Sequence, residues 1–77
     1  MSGRFRFLAG KLRQMGKQNS DLAYYLGMSP GSISHRMTGR TDWTISEMYE
    51  TLRYVGAQPE ELHVYFPPQE YRRGATA

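Results

Sequence analysis

Residues 19–37 read Asn19-Ser20-Asp21-Leu22-Ala23-Tyr24-Tyr25-Leu26-Gly27-Met28-Ser29-Pro30-Gly31-Ser32-Ile33-Ser34-His35-Arg36-Met37, and this stretch decides the fold. It holds two short helical segments separated by a tight turn. The first, from about Asn19 to Leu26, sets Leu22, Ala23 and Leu26 on one side before Gly27 breaks the pattern. Gly27 offers the turn a positive φ that other residues resist. Ser29-Pro30 then supplies a capping hydroxyl and a proline at the first helical position, where its missing N–H costs nothing and its fixed φ is already helical. The second segment spans about 30–38 and is anchored through Ile33. Ala23 is small at the point where the two segments must cross.

The flanking sequence adds three more helices. Phe5, Leu8, Ala9, Leu12 and Met15 recur at the spacing of one helical face, which predicts a first helix over about 4–15 closed by Gly16. Downstream, Gly39 stops the third helix and Thr44-Ile45-Ser46-Glu47 forms a capping box, hydroxyl and carboxylate each satisfying a free backbone N–H. Ile45, Met48, Tyr49, Leu52 and Val55 make the apolar face of the fourth helix, which Gly56 ends. Pro59-Glu60-Glu61 starts a short fifth helix that carries Leu62 and Phe66 inward until Pro67-Pro68. Trp43, between a glycine stop and a capping box, reads as a core anchor rather than a stacking platform. The expected architecture is an all-α, five-helix domain over 1–66 with a flexible tail at 67–77.

Composition narrows the class. With 39% hydrophobic and 22% charged residues in 77, the chain lies in the globular range and has a modest core. The absence of cysteine removes disulfides, thiolate zinc sites and thiol redox chemistry, which fits a reducing cytoplasm. Apolar runs fall far short of the roughly 18–20 residues of a membrane span. Charge is unevenly placed. Residues 1–40 hold seven basic groups and one acid, whereas residues 41–77 hold three basic groups and six acids. A positive field that attracts phosphates therefore belongs to the first half.

Taken together, Gly16, Asn19, Leu22-Ala23, Leu26-Gly27-Met28-Ser29, Ile33-Ser34 and Gly39 resemble the helix-turn-helix of lambda-repressor-like and Cro-like regulators, over about residues 4–66. The tract from Arg36 through Trp43 to Glu47 looks similar to small prophage regulators, in which an aromatic after the glycine packs beneath the next helix. The resemblance implies a sequence-specific regulator of transcription that binds double-stranded DNA, as a homodimer on a pseudo-palindromic operator, in a bacterial cytoplasm at the nucleoid. It implies that the third helix enters the major groove, with Pro30, Gly31, Ser32, Ser34 and His35 at the base-edge positions. With Ile33 inward, a step of about 100° per residue puts Gly31, His35 and Thr38 on the opposite face and Ser32 and Ser34 on its flanks. His35 is the longest side chain there and matches guanine N7 or O6.

By the same resemblance Lys17, Asn19, Arg40 and Thr41 contact the DNA backbone, and Arg36, at a position often apolar in the family, reaches a phosphate from the rim. Met37 then takes the core contact next to Ile33. A plain helix cap at Asn19 and a solvent-exposed His35 remain alternatives. The family often carries a long polar residue where Pro30 and Gly31 stand, so base readout here rests on few contacts or on DNA shape.

Catalysis calls for a nucleophile or metal beside an oriented partner. The chain offers two histidines 28 positions apart, no cysteine and no Gly-rich phosphate loop. No enzyme activity, catalytic residue, metal, cofactor, membrane partner or small-molecule substrate is expected. Glu47 and Glu50 read as a solvated helix face. Tyr54, Tyr65 and Phe66 are the candidate dimer contacts. Two other readings stand beside the regulator: an antitoxin-type DNA-binding autoregulator whose tail after Pro68 binds a toxin, and a protein-interaction module that binds an acidic protein.

Overall fold

The computed structural model describes residues 5–67, and its regular elements are all helical. They are α1 (Arg6–Gln14), α2 (Asn19–Leu26), α3 (Pro30–Met37), α4 (Ile45–Val55), and a 3-10 turn (Pro59–Glu61) that runs directly into α5 (Leu62–Tyr65). No strand occurs among the described residues, and none of these helices is long and apolar enough to cross a membrane. The expected tail and the stop at Pro68 lie outside the described residues.

One core joins every element. Phe5, Leu8 and Leu12 enter it from the first helix, Leu22 and Ala23 from α2, Ile33 from α3, Leu52 and Val55 from α4, with Trp43, Tyr65 and Phe66 closing it. Met15, Leu26, Met28 and Met37 pack against its edge. The broadest helix–helix contact is α2 on α3, and α2 also rests on α4. Ala23, buried and without a long side chain, lets α2 and α3 approach. Between them Gly27 adopts φ +74°, and Met28 N–H donates to the Ala23 carbonyl at 2.9 Å. A Cβ there meets nothing within 4 Å, so glycine answers the backbone angle and not a lack of space. Ser29 caps α3 as its sequence predicts, its Oγ accepting from Ser32 N–H at 3.1 Å.

Two expectations about α4 and one about dimer contacts are corrected. Ile45 and Tyr49 are 62% and 42% exposed, although the periodicity predicts both inward. The reason is Thr51, which is fully buried because its hydroxyl donates to the Glu47 carbonyl one turn back at 2.7 Å. With its polar atom satisfied inside the helix, Thr51 takes an inward place that hydrophobic patterning assigns to others. The inward direction is then centred among Met48, Thr51, Leu52 and Val55, about 70° from Ile45 and about 110° from Tyr49 at the helical step. Tyr65 and Phe66, read as dimer contacts, are buried in their own chain. Tyr65 packs edge-on to Phe7 at 4.9 Å and Phe66 packs edge-on to Trp43 at 4.8 Å. A small core draws on both aromatics to complete it. Tyr54 is partly buried against that core and lies against the Tyr25 ring at 4.8 Å, which occupies one of its faces.

Candidate nucleic-acid interface

α3 turns Ile33 into the core, keeps Ser32, Arg36 and Met37 half-buried beside it, and presents its opposite face to solvent. Gly31, Ser34 and His35 are exposed, as the helical step from Ile33 requires, and Pro30 is exposed at the first position of the helix. This row is small, polar apart from the proline, and free of charge. Gly31 lies inside the first turn of the helix, where a Cβ meets only Ser29 Oγ at an ordinary 3.9 Å. Nothing in the fold demands glycine there, and its effect is to leave the α3 backbone bare. Ser32 differs from its neighbours. It is half-buried, and its hydroxyl accepts from Ser29 Oγ–H at 3.1 Å, which ties it to the cap. Thr38 Oγ–H is likewise turned back onto the Ser34 carbonyl at 3.0 Å.

The flanking positions are set by the backbone. Lys17 is exposed in the turn after α1, and its N–H donates to the Leu12 carbonyl at 2.8 Å. Gly39, at φ +85°, reverses the chain after α3, so that Arg40 N–H and Thr41 N–H both donate to the His35 carbonyl, at 2.9 and 3.2 Å. Arg40 and Thr41 are thereby carried on backbone fastened to the last turn of α3, with both side chains exposed. Neither Lys17 nor Arg40 forms an ion pair with a described residue. Asn19 is exposed at the first helical position of α2. The cap is Gln18, one residue earlier, whose N–H donates to Asp21 Oδ2 at 2.7 Å. Asn19 is therefore not the helix cap, and its amide is left to face solvent.

Arg36 departs from the expectation of a rim cation. Its guanidinium forms a two-point ion pair with Glu47, Nε to Oε1 at 2.7 Å and Nη2 to Oε2 at 3.0 Å, while Nη1 donates to the Ser32 carbonyl at 3.4 Å. The two side chains are only 17% and 19% exposed. Glu47 is accordingly no member of a solvated face. It also accepts from Thr44 N–H at 3.0 Å, and Thr44 Oγ accepts from Glu47 N–H at 3.1 Å, so one carboxylate closes the α4 capping box and grips α3. Glu50, by contrast, is exposed, and it accepts from the Tyr25 hydroxyl at 3.1 Å. The link between Arg36 and Glu47 spans eleven residues and leaves no periodic trace, so no local pattern announces it.

The pair gives the fold a defined acid sensitivity. Burial raises the Glu47 pKa, but the hydrogen bonds from Arg36 and Thr44 and the Arg36 charge outweigh it, leaving the carboxyl below its ordinary 4.5. A lowered folded-state pKa contributes stability that is present above about pH 4.5 and lost as pH falls through the lowered value. Melting temperatures followed from pH 7 to pH 3 should therefore show wild type above Glu47→Gln at neutral pH and the two curves converging in acid. A gap that stays constant with pH would remove the ion pair from the account.

Among the described residues, no group of three His, Asp or Glu side chains is placed to hold a metal ion. Compared with known proteins, the chain matches no family model, no curated protein and no solved structure.

Proposed function

We propose that the chain is a sequence-specific double-stranded DNA-binding regulator of the lambda-repressor-like, Cro-like helix-turn-helix type, with α2 and α3 as the motif and α3 in the major groove. The observation that carries this reading is the surface of α3: an uncharged row of Pro30, Gly31, Ser34 and His35, followed by Arg40, whose backbone is fastened to the last turn of the helix and which, like Lys17 after α1, is exposed and without an ion-pair partner among the described residues. An α-helix is about 10–12 Å across with its side chains, which the roughly 12 Å width of the major groove admits, and small residues along the exposed face of α3 keep it slim. The bare backbone at Gly31 permits close approach, and a base-facing row without charge lets hydrogen bonding, not bulk attraction, discriminate between base pairs.

In this reading His35 and Ser34 read base edges, Ser32 contributes chiefly by holding the cap, and Lys17, Asn19, Arg40 and Thr41 meet phosphates. Two subunits engage half-sites about one helical turn apart. The protein works on DNA at the bacterial nucleoid and regulates transcription from its operator.

The deciding experiment is selection from pooled random duplexes at about 0.15 M salt, followed by sequencing of the bound fraction. Enrichment of a pseudo-palindrome is expected. His35→Ala should then narrow the preference for the selected site over random DNA, at about 1–3 kcal/mol per lost base contact, while Arg40→Ala weakens both alike. Binding without enrichment reduces the protein to a nonspecific DNA binder. No binding at all leaves the protein-interaction reading in its place.

A further inference from the structure

We propose that Glu47 is a positioning residue that limits sequence-independent DNA affinity and its salt dependence, by holding the Arg36 guanidinium against α3 and away from the phosphate backbone. The inference rests on the DNA-binding reading above and adds to it a cation deliberately withdrawn from the interface. Arg36 stands in the last turn of α3, directly after His35, and has a side chain long enough to leave the helix rim. Left free, it would be a third phosphate-seeking cation beside Lys17 and Arg40.

Three contacts prevent that. Both carboxylate oxygens of Glu47 are occupied by the guanidinium, and the Ser32 carbonyl receives its remaining arm. The same carboxylate is fixed by the α4 cap, so Arg36 is tied to a rigid point rather than to a loose side chain. A closed Arg–carboxylate pair carries no net charge and releases no counterions from DNA. Phosphate contacts strengthen binding to every sequence equally. Withdrawing one therefore lowers affinity for random and operator DNA alike, and it flattens the salt dependence of both.

The test is the dependence of log affinity on log salt for random duplex and for the selected operator, measured with wild type, Glu47→Gln, Arg36→Met and the double variant. Glutamine at 47 still accepts from Thr44 N–H, so the α4 cap survives while the charge is lost. Glu47→Gln should steepen the slope on random duplex and on operator alike by about 0.9 per bound subunit, with the operator-to-random ratio nearly unchanged. Arg36→Met should leave the slope as in wild type, and the double variant should return to it. Circular dichroism establishes that each variant is folded. If Glu47→Gln does not fold, Arg36→Met alone decides, because a slope flattened by about 0.9 means Arg36 already touches phosphate.

That flattening overturns the proposal. So does a Glu47→Gln protein that loses operator and random binding in equal proportion with an unchanged slope, the signature of a purely structural pair. Steepening that persists in the double variant overturns it as well, since Arg36 is then not the source. A wild-type protein that binds no duplex refutes the DNA-binding reading itself, and that outcome is visible before any variant is compared.

Discussion

Trp43→Ala is expected to lower the unfolding free energy by about 3–5 kcal/mol, enough to leave little folded protein at 37 °C in a domain of this size. Trp43 is 7% exposed and sits within a triangle of rings, 5.9 Å from Phe5 and 4.8 Å from Phe66, with Phe5 and Phe66 6.0 Å apart. These three residues come from the start of α1, from the loop before α4 and from the end of α5. Removing the indole therefore opens a cavity where both ends of the described chain are fastened together. Tilted and edge-on ring pairs add about 0.5–1.5 kcal/mol each beyond the area they bury.

The indole also carries a defect. Its Nε1–H is buried with no hydrogen-bond partner among the described residues, and a donor stranded in this way costs about 1–3 kcal/mol. Trp43→Phe removes that donor together with part of the ring, so loss of packing and relief of the unpaired group oppose one another. The phenylalanine variant should therefore lie well above the alanine variant in stability, because a smaller cavity is left and the unpaired donor is gone. Urea unfolding followed by circular dichroism measures both, since the variants lack the chain's one tryptophan. An alanine variant less than 1 kcal/mol below wild type, on the same order as an exposed site, would show that the ring triangle does not hold the fold.

What was legible in the sequence was local. Ser29-Pro30 and Thr44-Ile45-Ser46-Glu47 announce helix starts because a cap is satisfied within four residues, and the structure places α3 and α4 where those signals put them. Gly27 and Gly39 mark helix ends for the same reason. The face of α4 was less legible, because hydrophobic patterning treats Thr51 as an outward residue and has no means of knowing that its hydroxyl is satisfied by the Glu47 carbonyl. Phe66 was read as inward and also as a dimer contact, and burial decides for the first. The exposed row on α3 follows from the helical step once Ile33 is anchored. The capture of Arg36 by Glu47 does not, because it depends on how α3 and α4 are brought together and not on either helix alone.

Salt should weaken operator binding steeply, with a log–log slope near −3.6 for a two-subunit complex, if Lys17 and Arg40 are the phosphate cations of each subunit. Four neutralised phosphates at about 0.9 each give that value, and raising salt from 50 to 200 mM then costs roughly 150-fold in affinity. The figure depends on Arg36 staying paired. Were its guanidinium free, each subunit would add another 0.9 or so and the slope would approach −5.4. Both candidate cations are exposed and without an ion-pair partner among the described residues, so they reach DNA with no competing carboxylate to displace. Arg40 is the better placed of the two, because its backbone is fastened to the His35 carbonyl and moves with α3. Arg40→Ala should flatten the slope by about 1.8 for the pair of subunits and reduce the loss over the same salt range by about 12-fold. The preference for operator over random DNA should be almost untouched, because a phosphate contact adds equally to both. A wild-type slope near zero would mean that the basic half of the chain does not face phosphates. A normal slope that Arg40→Ala leaves unaltered would instead move the contact to other exposed cations, of which Arg6 and Arg13 on α1 are the nearest in sequence to Lys17.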